Sequence, residues 1–87
     1  MRIHGWDFEG AGQGQFWLRI ERSDISPVSK VCASICERPQ GSLRPQTGFA
    51  RMSVHNVVAH EEHVHLWVEI EWDSALLYMI NLIVVNA

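Results

Sequence analysis

Four of the five histidines stand between positions 55 and 65, as His55, His60, His63 and His65. The run His63-Val64-His65-Leu66-Trp67-Val68-Glu69 is where their spacing could do chemistry. In an extended chain successive side chains alternate between faces, so His63, His65, Trp67 and Glu69 share one side. Two imidazoles and a carboxylate are good ligands for a divalent transition metal, which makes His63, His65 and Glu69 a candidate metal set. Trp67, and Trp17 on the polar side of its own segment, offer flat apolar faces beside them. Trp17, His63, His65, Trp67 and Glu69 thus form a candidate ligand-binding surface, able to stack a small ring or anchor a protein partner. Glu61, Glu62, Glu69 and Glu71 are expected to raise the pKa values of neighbouring histidines and allow proton binding near neutral pH. The plainer reading of the same residues is the solvated outer side of a half-buried strand.

The heptad from His63 to Glu69 resembles the first metal-binding motif of the cupin family, in which two His and a Glu on a strand hold a metal inside a small barrel. The resemblance implies His63, His65 and Glu69 as three ligands of a metal-dependent enzyme. It spans seven residues. Val57 and Leu76 stand where the family pattern has glycines, and no His follows Val68 to supply the fourth ligand of the family's second motif.

Other short patterns carry less. Gly10-Ala11-Gly12-Gln13-Gly14 has no Lys-Ser/Thr after it and opens no clear helix, so it reads as a hairpin connection and not a phosphate loop. Cys32 and Cys36 on one strand would lie roughly 13 Å apart, too far for a disulfide. They have no nucleophile motif around them and read as small packed hydrophobes. Ser23-Asp24 and Asp73-Ser74 are turn chemistry.

The elements that must position the histidines read mainly as strands. Residues 2–9 carry Trp6 and Phe8. Phe16, Leu18 and Ile20 then alternate with Trp17, Arg19 and Glu21, and the two segments suggest an N-terminal hairpin. Residues 26–37 fit two templates. A helix would take Ser26 as N-cap and Pro27 at its first position, with Val28, Val31, Cys32 and Ile35 as a stripe. A strand would alternate Val31, Ala33 and Ile35 with Cys32, Ser34 and Cys36, and the mediocre helix formers here tilt the balance slightly towards it. Residues 38–48 read as a loop in which Arg38-Pro39-Gln40 recurs as Arg44-Pro45-Gln46.

Ala50, Met52, Val54, Asn56 and Val58 form one alternating set, followed by a tight turn near His60-Glu61-Glu62. Val64, Leu66, Val68, Ile70 and Trp72 then oppose the histidine side. In residues 75–85, Leu76, Tyr78, Ile80, Leu82 and Val84 alternate with Leu77, Met79, Asn81, Ile83 and Val85, so both faces are largely apolar. A strand of that kind at an exposed sheet edge invites aggregation, so it is expected to be covered on both sides. Leu77, Met79, Ile83 and Val85 are the candidate interface with a second copy.

The 87 residues, 47% hydrophobic and 20% charged, suit one ordered domain over 1–87. All seven Lys and Arg lie at or before Arg51, the net charge is −3, and the acidic balance argues against nucleic acid. The apolar run near the end is short of the roughly 18 residues of a membrane span. With no signal-like start and two free thiols, a cytoplasmic protein is expected. The expected fold is mainly β, a small antiparallel β-sandwich or open barrel of five to six strands with room for one short helix at 26–37. The expected function is a non-enzymatic, self-associating binding module without a cofactor, a homodimer first, taking a protein partner or small ligand. The competing expectation is a small cupin-like enzyme with a divalent transition metal.

Overall fold

Period-two alternation dominates the chain, and the computed structural model, which describes residues 1–39 and 48–87, turns it into six strands. They are β1 (Arg2–Gly12), β2 (Gly14–Glu21), β3 (Lys30–Glu37), β4 (Arg51–His60), β5 (His63–Glu71) and β6 (Leu76–Asn86). They form two antiparallel three-stranded sheets, ordered β1-β6-β3 and β2-β5-β4. No helix occurs among the described residues. The small antiparallel β fold expected from the sequence is the fold observed.

The core lies between the two central strands. Val64, Leu66, Val68 and Ile70 of β5 are wholly buried, as are Ile80 and Val84 of β6, with Leu82 and Tyr78 nearly so. Edge strands close the sides with Trp6 and Phe8, Phe16 and Leu18, Val31 and Ile35, and Met52, Val54 and Val57. Each fully buried aliphatic side chain contributes roughly 1.5–3 kcal/mol.

Of the two templates for residues 26–37 the strand, towards which the balance tilts, is the one observed and the short helix is absent: β3 pairs with β6 from Lys30 to Glu37, and Val31, Ala33 and Ile35 pack inward. Pro27 sits in a turn closed by the Ser29 amide donating to the Ser26 carbonyl at 3.0 Å. β-branched Val and Ile fit such a half-buried strand better than a helix. Two expectations change. The N-terminal hairpin does not form, because β1 pairs with β6 and β2 with β5. The chain crosses between sheets around Gly14, whose φ of 74° is open to glycine. Gly10 and Gly12 belong to β1 itself. The Tyr78 ring lies where a Gly10 Cβ would stand, and the Phe16 ring where a Gly12 Cβ would. Finally, Trp72 does not continue the inner row of β5; the strand ends at Glu71 and Trp72 is exposed. Of the loop expected over 38–48, residues 40–47, with the second Arg-Pro-Gln triplet, lie outside the described residues.

β6 is extended and central, paired with β1 on one side and β3 on the other. Its second face is covered only in part within the chain. Met79 is buried, Leu77 and Val85 are half-buried, and Ile83 is 50% exposed. The two faces should therefore respond differently to truncation. Ile80→Ala should cost about 2–5 kcal/mol in urea denaturation, whereas Ile83→Ala in the monomer should cost under about 1 kcal/mol.

Candidate metal centre

The histidines are brought together by an irregularity in the β4–β5 hairpin. Arg51 to Val54 pair in register with Glu71 to Val68, but the next pair is Asn56 with Trp67, leaving His55 as the extra residue of a bulge. One inserted residue reverses which side chains face the core. Met52 and Val54 point inward before it, Val57 and Ala59 after it. The single set Ala50, Met52, Val54, Asn56 and Val58 expected from the sequence is thus split, and Asn56, Val58 and His60 turn to the outer face. Unbroken alternation would have sent the polar Asn56 and His60 into the apolar interior.

A two-residue turn, Glu61-Glu62, then sets His60 directly opposite His63, with His65 two residues further on the same face. The ring centroids are 4.8 Å apart for His60–His63, 4.7 Å for His60–His65 and 4.8 Å for His63–His65. One ligand nitrogen from each lies within 4.8 Å of the others, and all three residues are half-buried. Nitrogens bound to one tetrahedral ion at 2.0–2.1 Å would stand about 3.3 Å apart, so side-chain rotations of an ångström or so would close the set. His63 Nδ1 lies 2.9 Å from the Glu61 carbonyl oxygen. A carbonyl can only accept, so Nδ1 carries the proton and Nε2 keeps a lone pair for a metal.

The turn that fixes this spacing is itself held from outside. Glu62 adopts φ 63°, a left-handed conformation that a side chain resists. Its amide donates to the Ile25 carbonyl at 2.8 Å, and its carbonyl accepts from the Arg22 amide at 3.0 Å.

Glu69 stands apart from the three rings. His55 Nε2 contacts its Oε1 at 2.8 Å, and Gln15 Nε2 donates to its Oε2 at 3.1 Å. Hydrogen bonds from His55 and then Gln15 hold its carboxyl below the usual range. Of the set His63, His65 and Glu69, the structure groups the two histidines with His60 and gives Glu69 to His55 and Gln15. The expected rise in histidine pKa is also reversed at His65. Desolvation lowers it first, followed by the charges of His60, His63 and Arg19.

Trp17 and Trp67 lie between these two groups on the same outer face, ring centroids 5.0 Å apart and planes inclined at 49°. Trp17 is 56% exposed and meets His65 edge-on at 6.1 Å. Of the residues read as an interface, Met79 is buried within the chain and Ile83 is the exposed one. His60 could have been found from the sequence: a turn confined to Glu61-Glu62 places it opposite His63. The bulge at His55 left no comparable mark.

Fold and site together define a small two-sheet β protein with three histidines at one corner of an outer sheet face. Compared with known proteins, the chain matches no family model, no curated protein and no solved structure.

Two outcomes follow from this geometry. Glu62→Gly relieves the left-handed strain while keeping both backbone bonds, so its thermal midpoint should stay level or rise, by up to about 1 kcal/mol in stability. Because the folded pKa of His65 lies below 6.5, the unfolded chain takes up its proton first as the solution is acidified. His65 therefore adds stability that is fully present above 6.5 and is lost as pH falls through the folded value. Urea midpoints should drop between pH 7.5 and 5.5, and His65→Ala should make that drop shallower.

Proposed function

We propose that this protein is a small binding module whose β2-β5-β4 face holds a divalent transition-metal ion through His60, His63 and His65. The convergence of three imidazoles, ligand nitrogens within 4.8 Å of one another, carries the reading. Support comes from the carbonyl contact that orients His63 and from the packing of each ring against the other two. Imidazole donors suit zinc, nickel or copper better than magnesium or calcium. Three protein ligands leave a fourth position for a ligand or a water.

Isothermal titration of untagged protein with zinc tests this. One site per chain is expected, with His60→Ala, His63→Ala and His65→Ala each weakening it at least about tenfold, a loss of about 1.4 kcal/mol. Glu69→Ala and His55→Ala, which remove no ligand nitrogen of this set, should weaken zinc far less than His60→Ala does. Loss on Glu69→Ala with none on His60→Ala would transfer the site to His63, His65 and Glu69. Zinc at about a hundred times its Kd should stabilise the fold by about 2.7 kcal/mol.

A second reading, self-association as a homodimer, is favoured by the opposite outer face. There Ile3 is 64% and Ile83 50% exposed, with Gly5 and Cys32 flanking Ile83 across the strands. Light scattering should report a dimer that Ile83→Lys converts to monomer; a wild-type monomer at all concentrations would remove this reading.

A further inference from the structure

Beside the three histidines, the outer face changes character from one row to the next. His65 is paired across the sheet with Arg19, and the row above it holds Trp17 and Trp67. Trp17, Leu18, Arg19 and His65 line a cavity of about 310 Å³ along β2, an edge strand of its sheet. That size is at the low end for small-molecule sites. His65 is both a wall of this cavity and a member of the proposed metal set, so a ligand seated there would lie beside that set.

Charge and shape then narrow the ligand. Three neutral imidazoles leave a divalent ion's charge uncompensated, and Arg19 adds another positive group on the same side. Arg19 Nε is 3.1 Å from Glu21 Oε1, an exposed pair in which Glu21, opposite His63 on this face, offsets part of the Arg19 charge. A carboxylate satisfies both the ion and the guanidinium. Beyond them the exposed Trp17 face offers stacking to a flat apolar group.

We infer that the cavity between Trp17, Arg19 and His65 takes a small carboxylate bearing a flat apolar group. The carboxylate lies between the ion and Arg19, and the flat group lies on Trp17. This rests on the metal reading above.

Benzoate is the probe, with acetate, inorganic phosphate and benzyl alcohol beside it, titrated calorimetrically into untagged full chain with and without zinc. Benzoate should bind the zinc-loaded protein at least about tenfold more tightly than the zinc-free protein, and more tightly than the other three probes. Arg19→Gln should weaken benzoate about tenfold, as expected for loss of a bond between charged groups, without weakening zinc. Trp17→Ala should weaken benzoate severalfold and leave acetate alone. Benzoate binding that is indifferent to zinc, or unaffected by both substitutions, overturns the proposal while the metal site stands. Phosphate binding as tightly as benzoate overturns the flat-group assignment. Failure of zinc itself to bind, read in the separate zinc titration, overturns both.

Discussion

The inner row of β5 facing the inner row of β6 is the contact on which the molecule is built. Val64, Leu66, Val68 and Ile70 meet Tyr78, Ile80, Leu82 and Val84, and every other strand serves as an edge to one of these two. Burial of that row fixes the register of β5, because a one-residue slip would expose it entirely. The outer row of His63, His65, Trp67 and Glu69 is set by the same constraint. The site's strand is positioned by residues that take no part in the site.

On β4 the core alone would not have produced the three-histidine corner. Its inward residues change parity at His55, and only that change lets Ala59 face Val64 while His60 faces His63. The extra residue is also anchored by its own side chain, through the contact with Glu69. A bulge thus serves both groups on this face. It brings His60 to the other two histidines and holds Glu69, which strand alternation alone would group with them, against His55.

Much of the fold was legible in the chain because burial writes a period of two. β5 and β6 were plain on that ground, and the two apolar rows of β6 called for cover on both sides, which the chain supplies fully on one face and in part on the other. Pairing partners were less legible. Phe16, Leu18 and Ile20 announce a strand equally well beside β1 or beside β5, and of the glycines that suggested a loop Gly10 and Gly12 leave room for the rings of Tyr78 and Phe16. At the site, His63 and His65 followed from spacing within one strand. His60 needed the turn length, and the assignment of Glu69 needed the contacts of His55 and Gln15, which come from neighbouring strands.

The backbone bonds that hold Glu62 tie the histidine corner to the far sheet. Arg22, whose amide grips the turn, also lays its guanidinium 4.1 Å over the ring of Trp6 on β1. A strut therefore runs from one layer of the sandwich, through Arg22, to the hairpin whose ends carry His60 and His63. An ion drawing those rings together would act as a clasp at one end of that strut. By reciprocity of linked equilibria, loosening the seam between the layers would weaken the clasp by the same free energy with which the clasp tightens the seam.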